Sequence, residues 1–276
     1  KNYVNLLHAR SAIPNNPNDP DFMIPENDSV ANLSNLAGYP AGTVNRYQFP
    51  MTQGGGTAMS RGDWADAVQD IISQPSYLNV GMVAEHDTSV DFITIMVEVY
   101  YTDSLPIDGF GFQSINYLNV ILTQDSVLGP QTGGSQYNPG AIVPGPWQPT
   151  YSHQHMVREY VTGQWGIPLN NTFVYPGDLI TNYFTIPVPN NINDIIFDIN
   201  NIKVVAFVTE NQLGEIITGT GCDVTAPVSV SINEYDLSKS DSYNRIYDML
   251  GREWKVQFGN LPKGMYIINN KIQYKL

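Results

Sequence analysis

The sequence predicts a mainly β protein: a partial α/β unit, then an antiparallel β-sandwich, then a small C-terminal β tail. Three observations predict it. Of 276 residues, 42% are apolar and only 14% charged, with 23 Gly, 19 Pro and 17 Tyr. That composition is turn-rich and too apolar and aromatic for a disordered chain. From Leu78 onward apolar residues recur with period two, the repeat of a strand with one buried face. Upstream of that point only one stretch carries a strong helical stripe.

In chain order, Tyr3 to Leu7 reads as a buried strand that runs into a polar, proline-rich loop, Ser11 to Asp28. Asp28 or Ser29 then caps a short helix that carries Val30, Leu33 and Leu36 and ends at Gly38. Tyr39-Pro40, an aromatic before proline, predicts a turn with a cis bond. Ser60 and Asp63 stand at capping-box spacing. They precede Trp64, Ala67, Val68, Ile71 and Ile72, an i, i+3, i+4, i+7, i+8 stripe that Pro75 stops. Ile93, Ile95, Val97, Val99 and Tyr101 alternate with Phe92, Thr94, Met96, Glu98 and Tyr100. Similar runs at Ile115 to Thr123, His155 to Thr162, Leu179 to Val188 and Ile202 to Thr209 are separated by Gly, Pro and Asn, the pattern of a sandwich. Leu128 to Pro149 is expected to be a long loop, and Asn233 to Asn244 a polar link into the alternating tail. These boundaries divide the chain into residues 1–76, 77–227 and 228–276.

Thirteen basic against 26 acidic residues give a formal charge of −13. Phosphate backbones are bound by clustered cations that release counterions, so nucleic acid is not an expected partner. Cys222 is the single cysteine. It excludes an internal disulfide, a CxxC pair and a thiolate zinc site. No window of 18 apolar residues supplies a membrane-spanning helix. The chain opens on Lys1 without a basic, apolar, small-residue leader, so a processed or partial chain is expected.

His153 and His155, two apart in an expected strand, would face one side and meet one zinc ion, with Glu159, Asp125 or His86 as third ligand. The competing reading makes both hydrogen-bonding groups packed beside Tyr151 and Trp165. Asp19, Asp21, Glu26 and Asp28 crowd an Asn-rich loop with oxygen ligands of the kind calcium takes, against the favoured reading of a solvated loop of Asx turns. Without an EF-hand spacing no cofactor is required. Arg46 and Arg158 sit in expected strands or their entries, as an ion pair or backbone clamp, or as anion binders. Tyr137, Trp147 and Tyr151 offer a platform for a sugar or a protein.

The segment Gly38-Tyr39-Pro40-Ala41-Gly42-Thr43-Val44-Asn45-Arg46 resembles a stretch of the 28-kilodalton outer membrane protein family of Bacteroidetes. Leu118 to Asp125, His153 to Arg158, Thr162-Gly163-Gln164-Trp165-Gly166 and Val204 to Val208 follow in the family's order. The resemblance implies a thioredoxin-like unit before the sandwich, with Tyr3 to Leu7 as its central strand and Pro40 as its cis proline. Its CxxC would lie upstream of Lys1.

The tail resembles the C-terminal sorting signal of type IX secretion. Tyr247, Asp248, Gly251 and Arg252, then Pro262, Gly264 and Tyr266, and finally Lys275 carry that resemblance. It implies secretion machinery as a partner and the cell surface or outer membrane as the destination. The function expected is that of an exported binding or attachment protein without catalysis, with an unknown surface protein or glycan as ligand. A thiol–disulfide oxidoreductase with upstream cysteines, or a structural subunit of a surface assembly, are the alternatives.

Overall fold

The structure is a computed structural model that describes residues 19–38, 40–52, 54–105, 107, 110–147, 149–170, 173–226, 246–249, 251–268 and 271–275. The expected strand Tyr3 to Leu7, Tyr39 of the proline turn and the link 233–244 lie outside them. The chain forms two compact units, Lys1–Thr225 and Ala226–Leu276. Among the described residues no helix is long and apolar enough to cross a membrane.

The first unit opens with helix α1, Pro25–Leu33. It starts three residues before the expected Asp28 cap, because Pro25 occupies the first helical position, where its fixed φ suits the helix and its missing N–H is no loss. Ala41–Gly42 (β1) and Met59–Ser60 (β2) pair as a minimal ribbon. A 3₁₀ turn over Arg61–Asp63 without a side-chain cap then leads into α2, Trp64–Ile72. The expected capping box is therefore not formed. Ala67 and Ile71 of the stripe are buried with Val44, Phe49 and Met59, whereas Trp64 and Ile72 at its margins are exposed. Thus the helix is where its period puts it, with a narrower buried face.

The remaining strands of this unit are Leu78–Asp87 (β3), Phe92–Tyr101 (β4), Tyr117–Gln124 (β5), Val127–Pro130 (β6), Thr150–His153 (β7), Met156–Tyr160 (β8), Ile167–Pro168 (β9), Leu179–Pro187 (β10), Asn191–Ile192 (β11), Ile195–Ile196 (β12), Ile202–Thr209 (β13) and Ile216–Thr225 (β14). Eight of them make one sheet in the order β10-β4-β3-β14-β13-β5-β8, with β9 beside β5. All neighbours are antiparallel except β14 and β3, which meet only through Val224 and Thr225 at Ala84 and Glu85. That short parallel junction joins two antiparallel leaves. Ile93, Ile95, Val97 and Val99 of one leaf pack in a single core with Leu118, Val120, Leu122, Val204, Ala206 and Val208 of the other. The architecture is mainly β, and the expected sandwich is realised as one sheet curled over its own core.

The apolar run of β13 is continuous because both of its faces are covered. Val205 and Phe207, which alternate with the core residues, pack with Ile121, Val157, Tyr160 and Ile24, and Val30 of α1 adds to the layer. Similarly, the expected long loop is shortened by the β6–β7 hairpin. Phe22 lies against Gly129 so closely that a Cβ there would stand 2.3 Å from its ring.

The second unit is a four-stranded sheet of Ile246–Asp248 (β15), Glu253–Trp254 (β16), Gly264–Ile268 (β17) and Lys271–Lys275 (β18), in the order β16-β15-β17-β18. Ile246, Leu261, Tyr266 and Ile268 form its own core with Trp254 and Phe258.

Candidate functional site

The structure does not bring the two predicted histidines together. β7 ends at His153, and the chain turns through His155, which has a left-handed φ of 56°, before β8 begins. The expected strand through both residues is therefore broken by a tight turn between β7, which pairs with β6, and β8, which pairs with β5, and same-face geometry is lost. His153 is buried, its ring 5.0 Å from Phe22 and 4.8 Å from Tyr151, and its Nε2 has no hydrogen-bond partner among the described residues. His155 instead serves Asp125: its N–H donates to Oδ1 at 2.7 Å, and its Nδ1 lies 3.0 Å from the same oxygen. Lys203 Nζ reaches Asp125 Oδ2 at 3.1 Å. Burial works against ionisation of Asp125, yet the His155 amide and the Lys203 ammonium outweigh it and hold the carboxyl below its usual value. Glu159 moves the other way, raised by burial and by Glu26.

Burial also lowers the His153 pKa, offset in part by the Pro130 carbonyl. The unfolded chain, with an imidazole near 6.5, therefore takes up a proton before the folded one does. Stability supplied by neutral His153 is complete above about pH 6.5 and is lost as pH falls from there towards the folded value. Glu159, whose folded pKa is raised, has the opposite slope, so a single pH profile mixes the two. The melting-temperature difference between wild type and His153→Gln should shrink from pH 7.5 to pH 5, as read by calorimetry. A difference independent of pH would show that His153 does not titrate across the transition.

The calcium candidates are dispersed. Asp21 Oδ1 accepts the Met23 N–H at 2.9 Å in an Asx turn, Asp19 precedes it, and Glu26 and Asp28 stand in the first turn of α1. Among the described residues no three His, Cys, Asp or Glu side chains are placed to hold a metal ion. Arg158, 2% exposed, donates from Nη2 to the Ile192 carbonyl at 2.9 Å, which makes it a backbone clamp on the β11–β12 hairpin. Arg46 stacks between two rings, 5.8 Å from Trp165 and 5.7 Å from Phe207. Burial pushes the Cys222 thiol up to about 12, so it is not a ready thiolate.

Of the expected aromatic platform, Tyr137 is exposed with the Arg61 guanidinium 4.6 Å from its ring centre. Tyr151 turns inward against His153, and its hydroxyl accepts from Asn138 Nδ2 at 2.8 Å. A different aromatic surface is more open. The loop between β4 and β5 carries Phe110 at 88% and Phe112 at 66% exposure, and the loop before β10 carries Phe173 and Tyr175. Gln113 ties the two loops together: its Nε2 donates to the Val174 carbonyl at 2.9 Å and its Oε1 accepts the Val174 N–H at 2.7 Å. Val174 and Leu105 are buried in the main core and anchor the pair. Large aromatic rings held outward on a fixed base mark an interaction surface. The sequence signal was Phe110-Gly111-Phe112, two aromatics around a glycine outside any periodic run.

In the second unit the motif residues have defined structural tasks. Asp248 Oδ1 accepts the Arg252 N–H at 2.9 Å, and its Oδ2 accepts from Arg252 Nε at 2.7 Å and Trp254 Nε1 at 3.2 Å. Gly251, at φ 76°, makes the left-handed step that closes this turn. Tyr247 pairs with Ile267 across β15 and β17. The Tyr266 hydroxyl donates to the Pro262 carbonyl at 2.9 Å, Gly264 pairs with Lys275, and Lys275 Nζ donates to the Gly259 carbonyl.

A family profile described as outer membrane protein Omp28 matches residues 27–220. Among solved structures, a domain of the outer membrane lipoprotein Omp28 from Porphyromonas gingivalis is similar at 20% identity and a TM-score of 0.34, covering 55% of this chain and 92% of that one. A penta-heme cytochrome c552 from Thermochromatium tepidum aligns at 12% identity and a TM-score of 0.25, covering 63% of this chain and 46% of that one. No curated protein matches.

Proposed function

This chain belongs to the Omp28 outer membrane protein family, and we propose that it is a non-catalytic attachment protein, delivered by its C-terminal unit, that holds a glycan or protein partner through its aromatic loop pair. Family membership places it at the cell surface or outer membrane. The observation that carries the binding role is the Phe110, Phe112, Phe173 and Tyr175 surface, fixed from below by Gln113. Aromatic side chains supply large contact area at low entropic cost, and the clamp removes most of the loop-ordering cost on binding. The delivery role is supported by a separate compact tail with its own core, whose sorting-signal residues close its turns. Such a unit is a self-contained handle for a type IX machine.

One experiment in the source bacterium, with the gene deleted, tests both roles. Three forms are supplied: the full chain, a chain lacking Arg245 to Leu276, and Phe110→Ser/Phe112→Ser. The truncated form should stay folded over its large unit yet accumulate in the periplasm, out of reach of protease added to intact cells. The double variant should reach the surface normally. As purified protein, its binding to cells lacking the gene should weaken about tenfold or more, the scale for removing aromatic anchors. Normal surface delivery of the truncated form would overturn the tail's role. Unchanged binding by the double variant would overturn that of the loops.

A further inference from the structure

We propose that β10 is a self-association edge through which two copies of this chain pair antiparallel about Asn182. β10 is the terminal strand of the eight-stranded sheet, nine residues long, with β4 on one side only. Among the described residues, no backbone hydrogen bond reaches it from any other strand. Such an edge offers a row of donors and acceptors to another chain, and proteins usually protect it with lysine, a bulge or an internal proline. Here Leu179-Ile180-Thr181-Asn182-Tyr183-Phe184-Thr185-Ile186 contains no charge, no glycine and no proline, and its register with β4 is unbroken from Leu179 to Pro187.

The residues of this edge are complementary to themselves. Antiparallel partners share a face, so a two-fold axis through Asn182 sets Ile180 opposite the partner's Phe184 and Thr181 opposite the partner's Tyr183. Ile180 and Phe184 are only partly buried and pack on the main core, so pairing would continue that core across the axis. On the other face Leu179 and Tyr183 are largely exposed and would be covered. Asn182 stands at the axis in the inward row. Among the described residues its Nδ2 has no acceptor, and after a turn of the amide the partner's Asn182 Oδ1 lies where an acceptor is needed.

Charge favours this edge over others as well. Two copies of a chain at −13 repel, and the cheapest approach is along an uncharged strand. Asp178, just before β10, falls opposite the partner's Ile186 and meets no like charge. The occupant is therefore a second copy, and because the same edge serves both copies the pairing closes at two. The edge is distinct from the aromatic loop pair, although the loop with Phe173 and Tyr175 leads into it.

Sedimentation of the full chain over a concentration series should show a reversible dimer with a dissociation constant on the order of 10 µM, tightening as salt screens the net charge. Thr181→Lys, on the exposed face beside the axis, should raise that constant about tenfold or more while the melting temperature of the monomer stays unchanged. Backbone amides of residues 179–187 should gain exchange protection as concentration rises in wild type and not in the variant. A monomer at all concentrations, a dimer indifferent to Thr181→Lys, or open-ended polymers would each overturn the proposal.

Discussion

Replacing Asn116 with alanine should destabilise the large unit by about 4 kcal/mol and lower its melting temperature by roughly 10 °C. Asn116 is fully buried just before β5 and holds four segments at once. Its Oδ1 accepts from the Tyr101 hydroxyl at 3.1 Å, at the end of β4. Its Nδ2 faces the Tyr77 hydroxyl at 3.3 Å and the Thr209 carbonyl at 3.3 Å, at the entry to β3 and the end of β13. Its backbone N–H donates to Asn170 Oδ1 at 3.0 Å, and its carbonyl accepts from Leu169. Burial pushes Tyr77 up to about 12 and Tyr101 higher still, so both hydroxyls stay neutral donors and acceptors throughout the physiological range.

Alanine keeps the backbone bonds but leaves the Tyr101 hydroxyl buried without its acceptor, at about 1–3 kcal/mol, takes a donor from the Tyr77 hydroxyl and the Thr209 carbonyl, and adds a small cavity. Tyr101→Phe takes the donor from the buried Asn116 Oδ1 but keeps the Asn116 Nδ2 bonds and opens no comparable cavity, so it should cost less, about 1–2 kcal/mol. Calorimetry on the two single variants and the double variant checks this. Once Asn116 is gone, the second substitution should recover part of the loss, because it removes an orphaned hydroxyl. Strict additivity would mean that the network is not a unit.

How much was legible in the sequence depended on whether the signal was periodic. The alternation of Ile93 to Tyr101 and the stripe of Ala67 and Ile71 placed β4 and α2, because burial on one face imposes a repeat. The motif order over the sandwich pointed to the right family. Features set by one residue meeting a distant one were illegible. The turn at Gln154-His155 broke the supposed zinc pair, and it is set by Asp125, thirty residues away, capturing the His155 amide. Pro25 overrides the Asp28 cap, because proline at the first helical position gives up no needed N–H and starts the helix earlier. The aromatic loops were missed because exposed rings follow no period, and the Gln113 clamp that fixes them spans 61 residues. Arg158 was readable as a guanidinium in need of a partner, and among the alternatives of ion pair, backbone clamp and anion binder it takes the backbone carbonyl of Ile192.

The second large effect is expected at Gly219, where valine should cost about 2–3 kcal/mol, or roughly 6 °C, although valine suits strands better than glycine does. Gly219 sits in β14 opposite Phe207 of β13. A Cβ at this position would stand 2.8 Å from both the Ala206 carbonyl oxygen and Phe207 Cβ, and the carbonyl, being backbone, cannot yield without disturbing the β13–β14 ladder. Phe207 in turn carries the Arg46 guanidinium, which also lies over Trp165. Displacement should therefore travel to that stack and change the fluorescence of Trp165. Gly221, two residues on in the same strand, is the internal control: its nearest neighbour to a built Cβ is 3.6 Å away, an ordinary contact. Gly221→Ala should be neutral or stabilising by about 0.5 kcal/mol, since alanine restricts the unfolded chain without a clash. If thermal melts give both substitutions the same sign and size, the cost at Gly219 comes from loss of backbone freedom and not from crowding against Phe207. If Gly219→Val alone is costly and leaves Trp165 emission unchanged, the strain is absorbed in the ladder and the Arg46 stack is independent of it.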